Sequence, residues 1–74
     1  MIEIWGKEQC PYCDMAKALA EQKGHDLTVK MLDEDFNRSQ LMETFPTART
    51  FPQIIVDGNK IGGYTEYKAL VDAT

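Results

Sequence analysis

Two cysteines stand three residues apart in Cys10-Pro11-Tyr12-Cys13, and the 74-residue chain has no others. Thiols at positions i and i+3 share one face of a helix, so their sulfurs can meet in a reversible disulfide. Pro11 suits a first helical position, because the N–H it lacks would be unpaired there anyway. Cys10 then falls at the helix cap, beside free N–H groups and the positive end of the helix dipole. That setting favours the nucleophilic thiolate and lowers the thiol pKa below its free value of about 8.5. Lys7 adds a nearby cation, while Asp14 pulls the other way as a solvated, screened carboxylate. The chemistry this pattern supports is thiol–disulfide exchange. Cys10 is the expected attacker and Cys13, one turn further in, the resolving thiol.

Other uses of two thiols fit less well. Zinc wants four ligands, and the single His25 is the one further soft candidate, so no metal site is expected. A secreted disulfide framework uses more cysteines than two. Eight Lys+Arg against twelve Asp+Glu leave a net charge of −4, which argues against a general phosphate-backbone binder such as a nucleic-acid protein. No apolar run approaches the roughly 18 residues of a membrane span, and no signal-peptide pattern opens the chain.

The elements that must hold the cysteines are legible in the hydropathy pattern. Met1-Ile2-Glu3-Ile4-Trp5 alternates apolar and polar residues before Gly6 and reads as a strand. From Pro11, the residues Tyr12, Met15, Ala16 and Leu19 recur at helical spacing as one apolar face, with Gly24 as the stop. Leu27 to Met31 alternates again as a second strand. Asp33-Glu34-Asp35 reads as a solvated run at the start of a short helix with Leu41, Met42 and Phe45 inward, ended at Pro46. Gln53-Ile54-Ile55-Val56 is almost wholly apolar and predicts a central strand. Gly58-Asn59 turns the chain into a fourth strand at Lys60-Ile61. Thr65 is placed to cap a last helix that buries Tyr67, Leu70 and Val71. The predicted order is β-α-β-α-β-β-α: a four-stranded mixed sheet in an α/β fold, with three helices on both faces.

Two further motifs bear on the site. In Thr50-Phe51-Pro52, the proline stands at the first residue of a strand, where a missing N–H is tolerated. An ordinary trans proline marking a strand start is the simplest reading; a cis bond would present the Phe51 backbone to an extended peptide. Gly62-Gly63-Tyr64-Thr65 permits close backbone approach at a helix N-terminus, where free N–H groups bind carboxylates, or it is simply a strand-to-helix turn. His25 reads as a solvated turn residue. Trp5, Phe36, Phe45 and the methionines read as core or rim, and Arg49 as either an anion-steering or an exposed loop residue.

These residues resemble the glutaredoxin family. Lys7-x-x-Cys10-Pro11-Tyr12-Cys13, Arg49-Thr50-Phe51-Pro52-Gln53-Ile54 and Asp57-Gly58-x-x-Ile61-Gly62-Gly63 look like its three signature blocks, in order and at the right spacing. The resemblance runs from residue 1 to about 70, within one domain expected over 1–74. It implies a thioredoxin-like fold, a cis Pro52, and a glutathione groove around Lys7, Tyr12, Phe51, Pro52, Gly63, Tyr64 and Thr65. In that groove Lys7 would meet the glycyl carboxylate, the Phe51 backbone the cysteinyl unit, and the Gly63-Tyr64-Thr65 turn the γ-glutamyl end. Thr65 departs from the family, which commonly has Asp there to hold the γ-glutamyl ammonium. The chain is also short for the family, with a truncated final helix.

The resemblance implies a cytoplasmic dithiol glutaredoxin acting as a monomer. Glutathione would be its co-substrate, with no permanently bound cofactor. Its clients would be protein disulfides and glutathionylated proteins, with ribonucleotide reductase a candidate by analogy. Two alternatives stay open. A compact glutaredoxin-like redoxin reduced by thioredoxin reductase is favoured by the short length and by Thr65. An iron–sulfur cluster-binding module is disfavoured by Pro11.

Overall fold

Ile2–Gly6 forms the first strand (β1), and its alternation sends Ile2 and Ile4 to one side and Trp5 to the other. The computed structural model describes residues 1–73; Thr74, the last residue of the expected domain, lies outside the described residues. After β1 come α1 (Pro11–Gln22), β2 (Leu27–Met31), α2 (Arg38–Thr44), β3 (Gln53–Val56), β4 (Asn59–Gly62) and α3 (Tyr64–Asp72). The sheet order is β2-β1-β3-β4. β1 and β2 are parallel, with Ile4 opposite Val29, as a helical crossover requires. β3 runs antiparallel to both β1 and β4, with Ile4 opposite Ile54. This is the expected thioredoxin-like α/β arrangement, and β3 is central as its apolar run predicts.

Each face of the sheet carries its own core. On one, Ile2, Ile4 and Ile54 pack with Ala16 and Ala20 of α1 and Tyr67 of α3. On the other, Trp5 packs with Phe36, Leu41 and Phe45; its ring centroid lies 4.6 Å from that of Phe36 and 5.2 Å from that of Phe45. Both sides of the sheet are therefore apolar where they meet helices.

The helix faces differ in detail from the sequence pattern. α1 buries Cys13, Ala16 and Ala20, while Tyr12 and Met15 are exposed. Small side chains let this helix lie close on the sheet, so its larger apolar residues are left at the margin. In α2, Leu41 and Phe45 are buried and Met42 is exposed, because a two-turn helix presents one i, i+4 stripe. Asp33 to Asp35 form a turn ahead of α2: the Asp35 carboxylate accepts from the Met31 N–H (2.8 Å), and Asn37 caps the helix reciprocally with Gln40. α3 is capped by Gly63, and Thr65 lies inside its first turn. Tyr67 is wholly buried, Val71 half-buried and Leu70 exposed. His25 is exposed, as a turn residue should be, but its Nδ1 stands 2.8 Å from the Tyr67 hydroxyl. Burial raises the pKa of that hydroxyl above its ordinary value. Beside it, the N-terminal ammonium hydrogen-bonds Asp57 (2.6 Å) and holds that carboxyl below its usual range.

Candidate active site

The turn out of β1 sets the position of the two cysteines. Gln9 takes a left-handed conformation (φ 54°), uncommon for a residue with a side chain, and the chain then enters α1 with Cys10 as N-cap and Pro11 at the first helical position. The Cys10 sulfur accepts a hydrogen bond from the Cys13 N–H (3.2 Å), occupying one of the donors a helix start leaves free. Cys10 and Cys13 are joined by a disulfide across a Cα separation of 5.2 Å, within the ordinary range for such a bridge. Cys10 keeps 7% of its surface exposed and Cys13 only 2%, so the capping cysteine is the more accessible residue.

Behind the bridge lies Gly6, a residue the sequence reading used only to end a strand. A Cβ there would stand 3.0 Å from the Cys13 sulfur, tighter than ordinary side-chain contacts. Glycine therefore lets α1 dock with its second cysteine against the end of β1. A single sequence offers little to flag this beyond the glycine's place just ahead of the cysteine motif.

Tyr12, between the two cysteines, lines a cavity of about 280 Å³ together with Thr50, Phe51, Pro52, Gly63, Tyr64, Thr65 and Glu66. Six of the seven residues predicted for a ligand groove are among them. The Phe51–Pro52 peptide bond is cis, as the family resemblance implies. Tyr12 and Tyr64 close one side, with ring centroids 5.9 Å apart. Gly63 passes close to the Pro52 carbonyl oxygen, which a Cβ there would meet at 3.3 Å. Glu66 was outside the predicted set, although its place three residues after the cap is the capping-box spacing. Its carboxylate accepts from the Gly63 N–H (3.2 Å).

Lys7, the seventh predicted residue, is not part of the cavity lining. Its ammonium instead stands 5.6 Å from the centroid of the Phe51 ring, which does line the cavity. Asp14, which would oppose a thiolate, is paired with Lys17 (3.4 Å). The α1 N-terminus and the Lys7 cation favour a sulfur anion and ligand carboxylates, while the Glu66 carboxylate in the cavity lining, held by the Gly63 N–H, opposes them. Arg49 is exposed.

The glutaredoxin family model matches residues 2–61. Glutaredoxin 3 of Escherichia coli is 38% identical over 69 residues, covering 93% of this chain and 83% of its own length. Among solved structures, glutaredoxin 1 of Francisella tularensis, complexed with cacodylate, superposes with a TM-score of 0.82 at 30% identity, covering 97% of this chain and 92% of that one. A buckwheat glutaredoxin–glutathione complex superposes at 0.79 and 25% identity, covering 97% and 69%. A helix-capping cysteine bonded to its i+3 partner beside a cis-proline cavity, on this sheet and with these relatives, leads to one assignment: the chain belongs to the glutaredoxin family of thiol–disulfide oxidoreductases.

Proposed function

We propose that this single-domain chain is a monomeric, cytoplasmic dithiol glutaredoxin that binds glutathione in the cavity beside Cys10. The observation that carries the reading is a capped, bridged cysteine pair flanking Tyr12, which itself lines a cavity walled by Phe51, Pro52 and the start of α3. Lys7 takes the glycyl carboxylate, the Phe51 backbone pairs with the cysteinyl unit, and the Gly63-Tyr64-Thr65 turn receives the γ-glutamyl end. Tyr12 and Pro52 supply apolar walls. That a buckwheat glutaredoxin of the same fold forms a complex with glutathione supports glutathione as the ligand.

In the reducing direction, the Cys10 thiolate attacks one sulfur of a client disulfide and displaces the other as a thiolate, which takes up a proton. Cys13 loses its proton and attacks the Cys10 sulfur, releasing the client's second thiol and forming the Cys10–Cys13 bond. Two electrons have then passed to the client. One glutathione thiolate reopens the bond at Cys10, freeing Cys13. A second attacks the glutathione sulfur, leaving oxidised glutathione and the Cys10 thiolate. With a glutathionylated protein, Cys10 attacks the glutathione-side sulfur and Cys13 is not needed. Ribonucleotide reductase is a candidate client by family analogy.

The test follows NADPH consumption when the oxidised protein is offered glutathione with glutathione reductase, or thioredoxin reductase alone. Faster turnover with glutathione is the expected result. Turnover with thioredoxin reductase alone would replace this reading with that of a compact redoxin.

A further inference from the structure

Among the described residues, three lysines lie over aromatic rings, and their ion pairing and place relative to the cavity separate them. Lys30 stands 5.0 Å from the centroid of the Trp5 ring and is also paired with Glu3 (3.2 Å), so its charge is compensated. Lys60, on β4, lies over Phe45 at 5.6 Å and likewise makes no ion pair among the described residues, but neither it nor Phe45 lines the cavity. Lys7 lies over Phe51 at 5.6 Å and, among the described residues, makes no ion pair. Its ring partner is itself half-buried and packed against the cluster of Trp5, Phe36, Leu41 and Phe45.

The difference is chemical. A carboxylate that held Lys7 would also cancel its charge and use its N–H donors. An aromatic face attracts the ammonium through its quadrupole and leaves both the net charge and the donors free for an incoming anion. We infer that the Phe51 side chain is a positioning residue: it holds the Lys7 ammonium beside the cavity, uncompensated, so that it meets the ligand carboxylate. This rests on the reading of Lys7 as the carboxylate anchor and adds a role for the Phe51 ring to that of its backbone. A flexible lysine tethered in this way loses less side-chain freedom when the ligand arrives.

The test is a double-mutant cycle read in steady-state kinetics with a glutathione mixed disulfide, using Lys7→Gln, Phe51→Leu and the two combined. Phe51→Leu keeps an apolar side chain of similar bulk and removes the ring. The expected result is an apparent KM raised about two- to fivefold with kcat little changed, the range of an exposed cation–π contact. In the Lys7→Gln background the same change should have no further effect. Phe51→Tyr and Phe51→Trp should restore the parent KM, whereas a role in packing alone would not distinguish a ring from leucine by KM. Thermal unfolding of each variant checks that the fold is intact. If Lys7→Gln raises KM and Phe51→Leu does not, or if the two effects add, the positioning role is wrong and the anchor reading survives. If Lys7→Gln leaves KM unchanged, both fall.

Discussion

A side-chain carbon placed on Gly6 would come within 3.0 Å of the Cys13 sulfur, so the resolving cysteine is packed directly against the end of β1. To accept that carbon, Cys13 would have to give by a few tenths of an ångström on a helix that also buries two alanines against the sheet. Gly6→Ala should therefore act as an overpacking substitution and destabilise the oxidised protein by about 1–3 kcal/mol. Urea unfolding would report it. Parent-like stability would mean that α1 slides freely on the sheet.

The capping position of Cys10 and the burial of Cys13 predict separate losses. Cys10→Ser should abolish both reduction of protein disulfides and removal of glutathione. Cys13→Ser should lose the first and keep the second. Mass spectrometry after oxidised glutathione should find a stable adduct on Cys10 in the Cys13 variant. An adduct found only on Cys13, in the Cys10 variant, would reverse the assignment.

In the reduced protein the Cys13 N–H, the helix dipole and Lys7 all favour a Cys10 anion. A lowered thiol pKa means that the reactive thiolate persists to lower pH. Iodoacetamide alkylation in a Cys13→Ser background should keep its rate below pH 8 and inflect well under the free value of about 8.5. An inflection at or above that value would remove this account of activation.

Thr65 lies exposed in the first turn of α3 and faces the cavity, with the Glu66 carboxylate committed to the Gly63 N–H. A carboxylate at position 65 would add a charge-assisted partner for the γ-glutamyl ammonium and would also suit the helix N-terminus. Thr65→Asp should lower the apparent KM for glutathione about two- to fivefold after allowance for solvent screening. Steady-state kinetics with varied glutathione decides it; an unchanged or higher KM would mean that Glu66 already holds this end of the tripeptide.

In the core on the α1 and α3 side of the sheet, the Tyr67 hydroxyl is raised in pKa by burial and reaches the His25 ring. Once unfolded, Tyr67 would lose its proton near pH 10, while in the folded protein it keeps it to higher pH. Above pH 10 the unfolded state therefore binds fewer protons, and stability falls as pH rises. Below that range Tyr67 contributes no pH dependence. Tyr67→Phe should lose about 0.5–1.5 kcal/mol at neutral pH with the His25 hydrogen bond, yet show a shallower alkaline loss. Urea midpoints from pH 8 to 11 would test both, and parallel curves would count against the burial effect.

Much of this protein follows from residue types and spacing alone. The element order, the parallel first pair, the central β3 and the pairing of Cys10 with Cys13 rest on local rules: period-two and helical patterns, Pro11 at a helix start, and thiols at i, i+3. Six of the cavity's lining residues were legible through likeness to a family, while Lys7 lies outside that lining and Glu66 inside it; a proline before a strand does not by itself choose a cis bond. The rest depended on distances between segments remote in sequence. Which residues α1 buries was decided by its close approach to the sheet, which takes Ala16 and Ala20 inward and leaves Tyr12 and Met15 at the edge. The cap of α3 fell to Gly63 because the chain must pass the Pro52 carbonyl, a contact across eleven residues that no local propensity encodes. In the same way Lys7 meets Phe51, Gly6 meets Cys13 and His25 meets Tyr67 because tertiary packing brings those pairs together.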